Sequence, residues 1–114
     1  GPTDAGLIKP DLVASGVDVL GPVAPSASYK TDSGTSFATP SVAGSLMLLL
    51  DHFLATHTNW TAVLASTLKA LAIHTADEIG ADGPDFKHGW GLKNTAASAQ
   101  LISSNALNGS HIFE

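Results

Sequence analysis

The chain contains no cysteine among its 114 residues. It therefore has no disulfide framework, no thiolate zinc site and no cysteine nucleophile, although this absence leaves the redox compartment open. Charged residues make up only 13% of the sequence, and five basic residues against ten acidic ones give a formal net charge of −5. Because nucleic-acid binding depends on basic side chains that neutralise phosphates, we expect no nucleic-acid partner.

Long apolar runs are also missing. No uninterrupted run approaches the roughly 20 residues that span a bilayer, and the apolar stretch at residues 45–50 is too short for a signal peptide and lies mid-chain. The sequence therefore predicts no membrane segment and no targeting signal of its own. A hydrophobic content of 44% with 11 Gly and 6 Pro is typical of a globular domain.

Short Val-rich runs bounded by Pro and Gly predict strands at residues 11–14 and 17–20, followed by a loop and a brief extended stretch at 29–33. Apolar side chains at residues 42–54 cover nearly the whole circumference, which predicts a helix buried on all sides. Gly44 within it suggests close backbone packing, since glycine costs about 1 kcal/mol relative to alanine in a helix. Two further helices are expected, over residues 63–72 and 95–102.

The candidate chemistry lies where the extended stretch meets the apolar helix. Ser36 is expected beside a helix N-terminus, where unpaired N–H groups and the positive end of the dipole stabilise an oxyanion. Pro40 restricts this turn in either of two registers. With a helix that starts at Ser36, Pro40 cannot donate to the Ser36 carbonyl; with Thr39 as the cap, Pro40 takes the favoured first position. From spacing alone, a plain capping hydroxyl is the commoner role for such a serine.

Four motifs in order resemble the subtilisin-like serine proteases, the subtilases. The most specific is GTSFATP at residues 34–40, followed by VAG, which resembles the segment that carries the family's nucleophile. The supporting matches are GPT at 1–3, KPDLVA at 9–14 with GV at 16–17, and GPDF at 83–86 with GWG at 89–91 and Asn94. The resemblance implies an α/β fold, the C-terminal portion of a three-layer domain with a parallel sheet, here incomplete. Residues 1–110 would belong to that catalytic domain, and residues 111–114 would begin a following segment.

Carried over to this sequence, the resemblance implies a site at residues 32–36. Ser36 would be the nucleophile and its N–H one oxyanion donor, with Thr35 assisting. Asp32, Ser33 and Gly34 would line the path of a polypeptide substrate. The chain shows no metal ligands and no cofactor, and calcium is implied by the family alone. A secreted or extracytoplasmic location is likewise implied only by the resemblance.

The partners of the serine are missing from this sequence. A serine hydroxyl needs an imidazole to take its proton and an aspartate to orient that imidazole, and the family supplies both, with an oxyanion Asn, before the serine. All five histidines here follow Ser36: His52, His57, His74, His88 and His111. The resemblance therefore implies peptide-bond hydrolysis only when a missing N-terminal part completes the domain, and the chain alone is predicted inactive. The alternative is a non-catalytic interaction or scaffold module that retains the subtilase helices.

Overall fold

Three helices and one β-hairpin make up the part of the chain that the computed structural model describes, residues 1–109 and Ile112. In chain order they are β1 (Val19–Val23), β2 (Ser28–Asp32), α1 (Thr35–Thr56), α2 (Ala65–His74) and α3 (Thr95–Asn108). Apart from Ile112, the segment 111–114 that we expected to begin a following segment lies outside the described residues.

The hairpin differs from the expected strands in position and in direction. β1 and β2 pair antiparallel, with Val19 opposite Asp32 and Val23 opposite Ser28. The expected extended stretch at 29–33 is confirmed to within one residue, whereas β1 begins two residues later than predicted and continues through Pro22. An edge strand tolerates that proline because its missing N–H is not needed by a neighbour.

Residues 11–14 do not form the predicted strand. Within the described residues, their one ladder contact is a single parallel bridge between Val13 and Leu92. A strand of a parallel sheet pairs along its length with a neighbouring strand that a long crossover brings alongside. Among the described residues, only Leu92 is paired with this segment in that way. The described part is therefore a mixed α/β structure with a two-stranded antiparallel sheet.

The loop before α3 is bonded to the segment at residues 11–13. The N–H of Trp90 donates to the Asp11 carbonyl at 2.9 Å, and the N–H of Val13 donates to the Gly91 carbonyl at 3.0 Å. Gly89 is buried, with φ of 65°, and a Cβ there would overlap the Pro10 carbonyl oxygen and lie 2.6 Å from that of Asp11. Glycine is required at this crossing because two backbone segments touch there.

The core lies between the C-terminal half of α1 and the other two helices. Its buried members are Leu49, Phe53, Leu71 and Ile102. The ring of Phe53 stacks on His57 at 4.1 Å and meets the edge of Trp60 at 5.4 Å. The described chain is therefore held together mainly at the end of α1 that is farther from Ser36.

Helix α1 departs from the sequence prediction in two ways. It begins at Thr35, one residue before the earlier of the two starts considered, Ser36, and it is not buried on all sides. Leu49 and Phe53 are buried, but Met47 is 73% and Leu48 69% exposed. Apolar side chains do lie on nearly all sides of this helix, as the sequence indicates, but the described residues cover only one of those sides.

By length and composition alone, α1 is also long and apolar enough to cross a membrane. It has 22 residues and a mean hydropathy of 1.3 over its most apolar window. The sequence analysis counted only uninterrupted apolar runs, whereas this helix includes polar interruptions. Core helices of globular proteins meet the same criterion, so this property does not by itself place α1 in a membrane.

The open face of α1 gives a first testable prediction at Gly44. A Cβ built on this residue meets no atom within 4 Å, contrary to the close packing expected from the sequence. In the isolated chain we therefore expect Gly44→Ala to increase the helix content measured by circular dichroism, since alanine is favoured over glycine by about 1 kcal/mol. In a protein whose further residues cover this face, we expect the same methyl group to lower the midpoint of denaturant unfolding. Stabilisation of equal size in both would show that the face stays open.

Candidate active site

Ser36 is the second residue of α1 and is exposed. Gly34 precedes the helix in an extended conformation and provides no side-chain cap. Pro40 lies inside the helix, so the Ser36 carbonyl lacks the N–H donor that an ordinary residue at position 40 would provide. Of the two helix starts considered above, the one that places Pro40 inside the helix agrees with the structure. The helix begins at Thr35, one residue before Ser36.

Two backbone N–H groups at this helix end are unpaired. The N–H of Phe37 donates to the Gly34 carbonyl at 3.0 Å, whereas those of Thr35 and Ser36 have no acceptor within the described residues. The first turn of α1 carries no acidic side chain to oppose the positive end of the dipole. These two N–H groups are therefore available as hydrogen-bond donors next to Ser36.

Tight backbone contacts fix the turn that carries Ser36. The N–H of Gly34 donates to the Gly16 carbonyl at 2.8 Å, and a Cβ on Gly16 would lie 2.6 Å from the Gly34 carbonyl oxygen. The ring of Phe37 lies 3.9 Å from where a Cβ on Gly21 would be, so it packs over the hairpin. The start of α1 thus rests on the loop before β1 and on β1 itself.

Asp32 and Ser33 form a short polar chain at the end of β2. The Asp32 carboxylate pairs with the Lys30 ammonium at 2.7 Å and accepts the N–H of Ser33 at 2.9 Å. The hydrogen bond from Lys30, followed by that from Ser33, lowers the pKa of Asp32 below 3.8, so this carboxylate is ionised at neutral pH. The Ser33 hydroxyl oxygen accepts the N–H of Asp18 at 2.9 Å.

The histidines at the far end of α1 have structural partners. Ser103 donates its hydroxyl hydrogen to the Ala99 carbonyl at 3.0 Å, so its oxygen accepts from His52 Nε2 at 2.9 Å. The amide of Asn105 lies 2.9 Å from His57 Nε2. At 1.5 Å per residue, His52 lies about 24 Å along the helix from Ser36.

The histidine after α2 belongs to a loop of its own. His88 Nδ1 lies 3.3 Å from the Asp85 carboxylate, which also accepts the N–H of His88 at 2.6 Å and that of Lys87 at 2.7 Å. These backbone bonds lower the pKa of Asp85, with the bond from His88 the largest cause. Within residues 1–109 and Ile112, no histidine is hydrogen-bonded to Ser36, and no group of three or more His, Cys, Asp or Glu side chains is placed to hold a metal ion.

An open, mainly apolar cleft of about 570 Å³ lies beside the first turns of α1. Residues 10–14 form one wall, and Thr35, Ala38 and Val42 form the other. Asp11 and Lys69 lie at its polar part, where the Asp11 carboxylate binds Lys9 at 2.7 Å and Lys69 at 3.0 Å. This ion cluster links the segment before β1 to α2.

The same cluster gives a prediction for acid stability. The hydrogen bond from Lys9, and then that from Lys69, lowers the pKa of Asp11 below 3.8. Because the folded pKa lies below the unfolded one, the ionised carboxylate stabilises the fold above about pH 4 to 5, and this is lost as the pH falls through the folded pKa. We expect Asp11→Asn to lower the free energy of unfolding at pH 7 by at most about 1 kcal/mol, since the pair is partly exposed. Denaturant unfolding should show this difference shrink as the pH falls below 3.8, towards the lowered pKa of folded Asp11. Asp4→Asn, at an exposed residue outside this cluster, is the control.

Comparison with known proteins decides the family. The family model described as the subtilase family matches residues 1–91 of this chain. The chain belongs to the subtilase family. Subtilisin-like protease SBT3.17 of Arabidopsis thaliana is 39% identical over 98 residues, and SBT3.9 of the same plant is 33% identical over 106; each match covers 77% of this chain. Subtilisin of Bacillus pumilus is 35% identical over 91 residues, which cover 79% of this chain.

The chain spans only part of these subtilases. It corresponds to 12% and 13% of the two plant proteins and to 29% of the bacterial subtilisin. The catalytic assembly of the whole protein goes beyond what these matches cover.

Sequence reasoning identified every residue of the β2–α1 junction but missed what holds it. Asp32, Ser33, Gly34, Thr35 and Ser36 are neighbours along the chain, so a contiguous motif could find them. The contacts from residues 16–18 come from about 15 residues away and appear only in the fold. In the sequence, only Gly16 could have indicated these contacts, because a glycine beside a strand pattern suggests that another backbone segment approaches closely.

Proposed function

We propose that this chain carries the nucleophile of a serine endopeptidase, and that Ser36 is that nucleophile. The observation that carries the proposal is the exposed Ser36 at the start of α1, within the family's nucleophile motif, beside two N–H groups that have no acceptor among the described residues. The Ser36 oxygen attacks a peptide carbonyl while a base takes its proton. The base returns that proton to the leaving amine, and water then releases the acid from the acyl-enzyme.

The oxyanion and the substrate would both be bound at this junction. The N–H of Ser36 donates to the oxygen of the tetrahedral intermediate, and Thr35 assists from the preceding position. Asp32, Ser33 and Gly34 line the path along which a polypeptide reaches the nucleophile. The exposure of Ser33 and Gly34 and the position of all three residues shortly before Ser36 support this assignment.

The base, its aspartate and the oxyanion Asn would come from an N-terminal part of the same catalytic domain. Contacts of His52, His57 and His88 with other groups, all away from Ser36, support an external base. The exposed Met47 and Leu48 support a covering layer on α1, which a three-layer fold with a parallel sheet would provide. This chain alone is then inactive. Calcium binding and a secreted or extracytoplasmic location belong to the same proposal.

A fluorophosphonate probe tests the assignment, because it forms a covalent bond only with an activated serine. We expect the complete protein to be labelled at Ser36, located by peptide mass spectrometry, and the 114-residue chain alone to remain unlabelled. A folded complete protein that is not labelled, or is labelled at another serine, would remove the assignment of Ser36. It would favour the alternative, a non-catalytic module that retains the subtilase helices.

A further inference from the structure

Asp18 adopts a backbone conformation that side chains usually avoid. It is the one residue other than glycine with a positive φ, 53°, within the part of the chain that the structure describes. Among side-chain-bearing residues, Asp and Asn enter this region most readily, and the conformation persists where the surrounding structure favours it. The exposed Asp18 carboxylate has no partner among the described residues, so side-chain pairing does not account for the conformation.

In this conformation, the N–H of Asp18 forms a hydrogen bond to Ser33, which lies just before the start of α1. The N–H of Asp18 donates to the Ser33 hydroxyl oxygen at 2.9 Å, across 15 residues of chain. Next to it, the Gly16 carbonyl accepts the N–H of Gly34 at 2.8 Å. Two successive residues that lead into α1 are therefore bonded to the loop before β1.

Ser33 is held from its other side as well. Its N–H donates to the Asp32 carboxylate at 2.9 Å, and Lys30 binds that carboxylate at 2.7 Å. Ser33 is thus fixed between β2 and the loop at residues 16–18. Because Ser36 follows three residues later, the direction in which α1 leaves β2 depends on this bond.

We propose that Ser33 and Asp18 are positioning residues for the nucleophile. The N–H of Asp18 holds the Ser33 hydroxyl, and this bond sets the direction of the turn that presents Ser36. The inference rests on the proposed peptidase function and deepens it, because Ser33 then acts on the nucleophile in addition to lining the substrate path. Misplacement of a reacting group by a fraction of an ångström to one ångström lowers the rate of the chemical step, whereas substrate binding is less affected.

The test separates these two roles of Ser33 in the complete protein. A small alkyl fluorophosphonate measures the reactivity of Ser36 without peptide contacts, and a peptide substrate gives kcat and KM separately. For Ser33→Ala we expect about a tenfold fall in both the labelling rate and kcat, with KM unchanged, as for the loss of one hydrogen bond. Ser33→Thr, which keeps an acceptor oxygen, restores most of the rate.

Variants at Asp18 test the other partner of the bond. Asp18→Val should lower the labelling rate as Ser33→Ala does, because a branched side chain disfavours positive φ. Asp18→Asn should keep the wild-type labelling rate, because asparagine tolerates this conformation. The double variant Ser33→Ala/Asp18→Val should lose no more than the worse single variant, because both remove one bond. Ser26→Ala is the matched control, since that exposed hydroxyl bonds Ser28 and Val23 within the hairpin turn.

Each other outcome overturns a specific claim. If Ser33→Ala raises KM and leaves the labelling rate unchanged, Ser33 only contacts substrate and the positioning role is wrong. If the variants lower the melting temperature alone, the bond is only structural and the inference is again wrong. If wild-type Ser36 is not labelled, the proposed function fails, and the inference fails with it.

Discussion

Replacing Ser36 by alanine is expected to lower kcat for peptide hydrolysis by about a million-fold in the complete protein. That size is the one known for loss of the nucleophile in subtilisin, a relative of this chain, and the residual rate comes from the oxyanion donors and substrate binding. The change removes one exposed oxygen, so we expect the fold and KM to be retained. The measurement is a comparison of initial rates with a chromogenic peptide, with folding checked by circular dichroism.

The matched control for this variant is Ser41→Ala. Ser41 lies on the same helix, five residues farther from the start of α1, and is half-buried. We expect this substitution to leave kcat within about threefold of wild type. Activity retained in Ser36→Ala would contradict the nucleophile assignment, and equal losses in both variants would indicate a general disturbance of α1.

The candidate site could be proposed from the sequence because its residues are contiguous along the chain. Seven residues at 34–40 contain the nucleophile motif, and the apolar run after them indicates a helix that begins nearby. The start of that helix stayed open between Ser36 and Pro40 because residues 35–41 are small or polar and include Pro40, which usually marks a boundary. The Thr39 hydroxyl, which donates to the Thr35 carbonyl at 3.0 Å, is one local bond across this first turn.

The part of the fold that sequence patterns missed depends on distant neighbours. Residues 11–14 have a strand-like pattern, but a strand exists only where partners pair with it, and the described residues pair it only through Val13. The apolar circumference of α1 likewise indicates burial without stating which residues provide it. The unformed strand at 11–14 and the exposed side of α1 have the same cause: their apolar side chains are suited to a larger core than the described residues supply.

The largest stability effect is expected at Gly89, in the loop before α3 that is hydrogen-bonded to residues 11–13. Alanine there must adopt a φ of 65° and place its methyl group against the carbonyl oxygens of Pro10 and Asp11, which are backbone atoms that cannot rotate away. We expect Gly89→Ala to lower the free energy of unfolding of the complete protein by about 3 to 5 kcal/mol. Denaturant unfolding measures this loss.

Gly83→Ala separates the two causes of that loss. Gly83 has a φ of 82°, but a Cβ there meets no atom within 4 Å. Only the backbone strain remains, so we expect a loss of about 1 to 2 kcal/mol. Because the Gly89 loop bonds residues 11–13 and Gly16 then contacts Gly34, Gly89→Ala should also slow labelling of Ser36, whereas Gly83→Ala should not. Equal losses of stability in the two variants would mean that the crossing at Pro10 relaxes freely and does not restrain the segment leading to the nucleophile turn.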